Sequence, residues 1–202
     1  MTEYDALIQA GFQPGQNVLV TGASSGVGSI GLQLAKALGA GTVVVTTRSH
    51  ARADMLRELG ADLVIDTNDT SIADALHAAG RPLCDATLDH VGGRVLSDVI
   101  RASAPGARII QIGRLGGGQT ELDLDLLAIR RLSLIGTTFR SRGASELHQL
   151  IANLIAEPIL VPSYGGVHPI IDSTYRMTDA EGAAAPRQSR ARFGKVLVKP
   201  HA

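Results

Sequence analysis

The chain has 202 residues, enough for one domain of ordinary size or one domain with a short appendage. Hydrophobic residues make up 45% and charged residues 19%, and 19 basic residues balance 19 acidic ones, which leaves no electrostatic case for binding nucleic acid or an anionic membrane. Cys84 is the only cysteine, which excludes an internal disulfide and a zinc site built from this chain's thiolates; with no signal-peptide pattern in MTEYDALIQAG and no long apolar run, the expectation is a soluble, cytoplasmic protein.

Residues 2 to 10 carry apolar positions at helical spacing (Tyr4, Leu7, Ile8), and a Gly/Pro turn then leads into the first strand. Val18 to Thr21 run into the small-residue turn 22–28, and Val27, Ile30, Leu34, Ala37 and Leu38 recur at helical spacing after it. Thr42 to Thr47 is a β-branched strand, and Ala51 to Leu59 a helix closed by Gly60. Leu63 to Asp66 reads as a third strand, followed by a helix capped by Thr70 or Ser71 and running to Ala79. Leu83 to Leu88 is a fourth strand, Arg94 to Ala102 a helix, and Arg108 to Ile112 a fifth strand. A glycine-rich loop and an acidic, leucine-rich stretch precede a sixth strand at Leu132 to Gly136, and a last helix spans Ser145 to Ala156.

Strands and helices alternate throughout. The expected fold class is therefore α/β, a doubly wound parallel six-stranded sheet with helices on both faces. Beyond Pro158, proline and glycine become frequent and short β-like runs (Ile170 to Ile171, Lys195 to Val198) flank AEGAAAPRQSR, where Pro186 would interrupt any helix. The division expected is 1–157 as a nucleotide-binding domain, with 1–16 its leading helix and turn, and 158–202 as a short tail of β character with little core of its own.

The strand, tight turn and helix over 17–40 direct the first unpaired N–H groups of the helix at Gly22, Gly26 and Gly28. A helix N-cap made by Ser24 or Ser25 accounts for such a turn without any ligand. The opening of a βαβ unit favours the pyrophosphate of a dinucleotide instead.

TGASSGVG (21–28) by itself is similar to the glycine signature of short-chain dehydrogenases, which also need a tyrosine with a lysine four positions on. Tyr4 is followed by Ile8, Tyr164 by His168 and Tyr175 by Asp179, so that pair is absent. A broader resemblance is carried by QLAKALGA (33–40), ADMLRELGADLVIDT (53–67), LDHVGG (88–93), APGARIIQIGRLGG (104–117), LIGTTFRSR (134–142) and FGKVLV (193–198). In order and spacing these resemble the cofactor half of the medium-chain dehydrogenase/reductase superfamily, most closely its zinc-free quinone oxidoreductase branch.

The resemblance implies a Rossmann domain that begins at the family's inter-domain helix, with a tail that would return to a catalytic domain absent from this chain. It places the positions of G-x-G-x-x-G on Ala23, Ser25 and Gly28, so that backbone around Ser24, Ser25, Gly26, Val27 and Gly28 would hold the pyrophosphate. After the second strand the chain offers Thr47, Arg48, Ser49 and Arg52 and no acid before Asp54, which favours NADPH over NADH, because a 2′-phosphate needs cations where a 2′-hydroxyl needs a carboxylate. A solvated surface arginine remains the alternative for Arg48 and for Arg52. The nicotinamide end is expected near Asp89 and Val91, near Ile112, Gly113 and Arg114, and near Thr137 and Phe139. Leu115 to Gly118 reads equally as lining or as a flexible connection, and Lys195 as an ordinary surface lysine.

The six histidines lie scattered without the spacing of metal ligands, and no metal is expected. The activity implied by resemblance is hydride transfer from NADPH to a quinone or an α,β-unsaturated carbonyl, weak for this chain alone, with no catalytic residue assignable. The alternatives are a non-enzymatic NADPH-binding module or half of a split enzyme, and more remotely a short-chain reductase. The partners expected are a small-molecule electron acceptor, a separate catalytic domain, and a second copy paired through the sixth strand.

Overall fold

The structure is a computed structural model that describes residues 1–158, 166–181 and 193–200; Tyr164, Pro186 and His201 lie outside the described residues. Six parallel strands form one sheet in the order β3-β2-β1-β4-β5-β6: β1 Asn17–Val20, β2 Thr42–Thr47, β3 Leu63–Asp66, β4 Cys84–Asp89, β5 Ser103–Gln111 and β6 Ser133–Gly136. This is the doubly wound Rossmann order, and the direction of winding reverses between β1 and β4.

The sheet is buried on both faces, so its central strands are continuous β-branched and aliphatic runs. Alternation along each strand divides them between two cores. Val18, Val20, Val43, Val45 and Leu88 point toward α1 (Thr2–Gln9), α2 (Gly28–Ala37) and α3 (Ala53–Glu58), where they meet Leu7, Leu32, Leu34 and Leu56. Leu19, Val44, Ile65 and Ile109 point the other way, toward Ile72 and Leu76 of α4 (Ile72–Ala78) and Leu96, Val99 and Ile100 of α5 (Arg94–Arg101). Each fully buried aliphatic side chain contributes about 1.5–3 kcal/mol. The two layers hold the strand ends in fixed register: Val18 sits beside Val43 and Ala86, and Val20 beside Val45 and Leu88.

Two elements differ from the sequence expectation. β5 begins at Ser103 rather than Arg108, because Cys84 pairs with Ser103 and Ala86 with Arg108, so the residues between them bulge from the ladder. Pro105 has no N–H to give, and Gly106, at φ +81, turns its amide to the Arg130 carbonyl. The acidic, leucine-rich stretch contains a sixth helix, α6 (Leu124–Ile129), whose first turn is capped by Asp123 Oδ1 accepting from the Leu126 amide at 2.8 Å.

α7 covers Ala144–Ala156, and the tail forms a separate parallel pair, β7 (Ile171–Arg176) with β8 (Lys195–Lys199). The pair exposes most of its side chains but is anchored to the body. Phe193 is buried in the first core, and the main chain of His168 exchanges two hydrogen bonds of 3.0 Å with the Gln33 side chain of α2.

Candidate functional site

A cleft of about 530 Å³ opens at the carboxyl ends of β1, β2, β3 and β4, across the point where the winding reverses. Its floor is the β1–α2 turn. Gly22 sits at φ +61, its amide held by Thr46 Oγ1 at 3.0 Å. Gly28 is a glycine because a Cβ there would lie 2.6 Å from the Gly22 carbonyl oxygen and 2.9 Å from the Ala23 Cα, so α2 starts in van der Waals contact with the strand end. Gly26 is a glycine for a different reason. Its Cβ would lie 2.5 Å from Lys195 Cγ and 3.0 Å from the Gly194 carbonyl oxygen, where β8 crosses the turn.

The turn is held by its own hydrogen bonds. The Ser25 amide donates to the Gly22 carbonyl, and Gly28 N donates to Ser25 Oγ at 3.0 Å, which is the side-chain cap the sequence offered as the ligand-free account. The Gly26 amide faces the Gly194 carbonyl across the bridge between Ser25 and Gly194, and among the described residues no backbone acceptor meets the amides of Ser24 and Val27. Two such amides in front of a ten-residue helix give the turn a positive character.

At the end of β2 the cleft is lined by Thr46, Thr47, Arg48, Ser49 and Arg52. Arg52 Nη1 donates to Ser24 Oγ at 3.0 Å, which ties the start of the next helix to the glycine turn. Burial lowers the Arg52 pKa, the charge of Asp172 opposes this, and Arg48 adds to it, yet the guanidinium stays charged at any physiological pH. The opposite wall is Thr67 and Asn68 after β3, Val91, Arg94 and Val95 after β4, and Leu115 and Gly116 after β5. These lining residues include three arginines and no carboxylate. They also include no histidine, cysteine, tyrosine or lysine, so the wall can orient and hold a ligand but offers no ordinary proton donor or acceptor.

Of the residues expected from sequence, Ser24, Ser25, Thr47, Arg48, Ser49, Arg52 and Val91 meet at this cleft. Gly26, Val27 and Gly28 lie behind or beside it in the turn. The others lie elsewhere. Asp89 turns its carboxylate inward, accepting from Thr21 Oγ1 at 2.6 Å, from Val91 N at 3.0 Å and from Gly92 N at 3.2 Å, so its side chain shapes the loop.

Ile112, Gly113 and Arg114 pass behind Val91. The Ile112 and Gly113 amides donate to the Asp89 carbonyl and the Gln111 side-chain amide to the Gly113 carbonyl. Leu115 and Gly116 are lining and not a loose connection, since their amides donate to the His90 and Val91 carbonyls at 3.2 and 2.7 Å. Thr137 and Phe139 are drawn toward α1. Thr137 Oγ1 accepts from Gln9 Nε2 at 2.9 Å and from Arg142 Nη2 at 3.0 Å, while the Arg142 guanidinium lies 4.7 Å from the Phe139 ring centroid. Arg142 is in turn paired with Asp5 at 2.6 and 2.8 Å, and that hydrogen bonding raises its pKa despite partial desolvation.

Sequence reasoning missed Thr67, Asn68, Arg94 and Val95, which come from loops after β3 and β4. Their position directly after strands flanking the reversal point was the available signal. It also missed that His50, Asp66 and Asp69 converge, with His50 Nε2 2.5 Å from Asp69 Oδ2 and 3.7 Å from Asp66 Oδ2. His50 and Asp69 are exposed, and Asp66 Oδ1 already accepts from the Asn68 amide, so the group ties the ends of β2 and β3 together.

The strand order, the glycine turn and the basic cleft at the reversal point define a dinucleotide-type α/β domain. The chain belongs to the zinc-binding dehydrogenase family, whose sequence profile matches residues 26–156, within the medium-chain dehydrogenase/reductase superfamily. Relatives include the acryloyl-coenzyme A reductase of Sulfurisphaera tokodaii, 28% identical over 193 residues, covering 94% of this chain and 52% of that protein. The quinone oxidoreductase-like protein 2 of Mus musculus is 25% identical over 191 residues, covering 94% of this chain and 54% of that one. Among solved structures, the quinone oxidoreductase of Thermus thermophilus, determined also in complex with NADPH, superposes with a TM-score of 0.82 at 25% identity over 98% of this chain and 62% of that one. The chain thus spans about half the length of the curated relatives it matches. No helix among the described residues is long and apolar enough to cross a membrane.

Proposed function

We propose that this chain is the NADPH-binding portion of an oxidoreductase that reduces quinones or α,β-unsaturated carbonyls by hydride transfer. The observation that carries the reading is the cleft itself: among the described residues, three arginines, no carboxylate, and a turn in which the amides of Ser24 and Val27 meet no backbone acceptor. That donor set fits a dinucleotide with a 2′-phosphate, the amides of Ser24 and Val27 taking the pyrophosphate and Arg48 and Arg52 the 2′-phosphate. NADH, whose 2′-hydroxyl calls for a carboxylate acceptor at the end of β2, fits this donor set less well. Thr67, Asn68, Arg94 and Val95 offer the flat, half-apolar wall that an adenine ring requires. When bound, the cofactor supplies the hydride; the chain holds it, neutralises its charge and presents one face of it.

Among the described residues the lining carries no ordinary acid–base group, which supports a cleft that binds and orients while a separate catalytic domain or polypeptide supplies the substrate pocket. On this reading residues 1–157 are the nucleotide-binding body and 158–202 the segment that joins it to that domain. The same observation favours, as the second reading, a cofactor-binding module that partners another chain. β6 is the free edge of the sheet, with Leu134 37% exposed, and we assign it to pairing with a second copy of this chain.

The test is a fluorescence titration of the chain with NADPH and NADH, repeated for Arg52→Ala. NADPH is expected to bind more tightly, and losing a charge-assisted phosphate contact should weaken it by about tenfold to hundredfold while NADH is unchanged. Failure of both nucleotides to bind would overturn the reading.

A further inference from the structure

Outside the cleft, the core holds two ionisable side chains that none of these roles uses. Glu3 of α1 and His90 after β4 are 1% and 3% exposed. His90 Nε2 lies 2.9 Å from Glu3 Oε1, and Nδ1 lies 2.8 Å from the Thr21 carbonyl oxygen. A carbonyl only accepts, so Nδ1 carries a proton; opposite a carboxylate, Nε2 carries the second. Burial pulls the His90 pKa down, but the hydrogen bond and charge of Glu3, with the Thr21 carbonyl and the charge of Asp89, hold it above its ordinary value.

The ring is one part of a short network. The His90 amide donates to Thr21 Oγ1 at 2.9 Å, and that hydroxyl donates to Asp89 Oδ1 at 2.6 Å. Thr21 immediately precedes Gly22, and His90 immediately precedes Val91, and both of those neighbours line the cleft. The two walls nearly touch there, since a Cβ on Gly22 would lie 3.2 Å from Val91 Cγ2. The imidazole therefore bolts the β1 turn to the β4 loop where Gly22 and Val91 approach each other.

Glu3 is wedged rather than fully satisfied. Its Oε2 has no hydrogen-bond partner among the described residues and faces Gly31 of α2, where a Cβ would collide with it. A buried ion pair of this kind contributes little net stability compared with apolar side chains of the same volume, so stability alone is a poor reason for it.

We propose that Glu3 and His90 are positioning residues of the nucleotide cleft, acting through Thr21 to set the separation of Gly22 and Val91 and hence the grip on a bound dinucleotide's pyrophosphate. The inference rests on the nucleotide-binding reading above.

The experiment measures dinucleotide affinity (NADPH and NADH) and urea stability on the same samples of the full chain for wild type, Glu3→Gln, and the double variant Glu3→Met/His90→Leu, with the His90 ring followed by ¹⁵N NMR in the first two. Glu3→Gln should lower the pH at which the ring takes its second proton and weaken dinucleotide binding about tenfold. The double variant, free of buried charge, should regain wild-type stability yet keep the weakened binding. A double variant as stable as wild type that also binds as tightly would overturn the proposal while leaving the nucleotide reading intact. A wild-type chain that binds neither dinucleotide would overturn both.

Discussion

Gly28→Ala tests how closely the start of α2 must approach β1. The new Cβ would sit 2.6 Å from the Gly22 carbonyl oxygen, 2.9 Å from Ala23 Cα and 3.1 Å from the Gly22 carbonyl carbon, against ordinary contacts of 3.4–4 Å. All three neighbours are backbone and cannot rotate away, so α2 has to retreat by roughly 0.8 Å. Overpacking of that size costs about 1–3 kcal/mol, of which alanine's better helix propensity returns up to about 1 kcal/mol. A net loss of about 1–2 kcal/mol should lower the Tm by roughly 2–8 °C in a chain of this length.

The effect on the ligand should be larger than the effect on the fold. On the proposed reading the retreat carries the Val27 amide away from the pyrophosphate, and a misplacement approaching 1 Å costs up to about a hundredfold in a preorganised contact. Differential scanning fluorimetry and NADPH titration read the two quantities, with Gly118→Ala as control, since nothing lies within 4 Å of a Cβ there. Wild-type Tm and affinity in Gly28→Ala would refute the close-packing argument.

Two further outcomes are expected. Burial pushes the Cys84 thiol up to about 12 from an ordinary 9.0, with the charge of Asp85 adding to the shift. Its contribution to stability is complete below pH 9 and is lost as pH rises toward 12, at up to about 1.4 kcal/mol per pH unit, because only the unfolded chain releases the proton. The urea-stability difference between wild type and Cys84→Ala should therefore be flat below pH 9 and shift against wild type above it, and a thiol reagent at pH 8 should label only unfolded chains. Leu134→Lys places a charge on the exposed edge of β6 and should convert a dimer to a monomer by light scattering with no change in Tm; an unaltered mass would count against pairing through that strand.

The sheet was legible because its signals are local and repeated. β-branched runs such as Thr42 to Thr47 and the helical spacing after Val27 each specify their element, and alternation of the two specifies parallel strands. The start of β5 was not legible, because Pro105 and Gly106 argue against a strand and only the partner ladder of β4 carries one past them. α6 was hidden by its length: six residues give less than two turns of periodicity, and the Asp123 cap was the one local sign.

At the site, Ser24, Ser25, Arg48 and Arg52 were readable because they directly follow β1 and β2. Arg94 and Asn68 were not, since nothing in the local sequence brings the loops after β3 and β4 together; strand order does. In sequence Gly26 reads as serving an anion, whereas the residue that presses on it is Lys195, far along the chain. Glu3 and His90 meet only because α1 packs beside the end of β4.

The crossing of β8 over the glycine turn has a consequence for how the protein comes into being. Gly194 N donates to the Ser24 carbonyl at 3.1 Å, and Gly194 itself, at φ +95, has room for no Cβ against the Ile170 carbonyl. As the ribosome delivers the chain, the first six strands can collapse into their sheet while the segment that roofs the turn is still unmade. That contact joins residues far apart in sequence and carries the loop-closure delay of such contacts. A nascent chain halted before Phe193 would display a folded sheet with an unroofed turn.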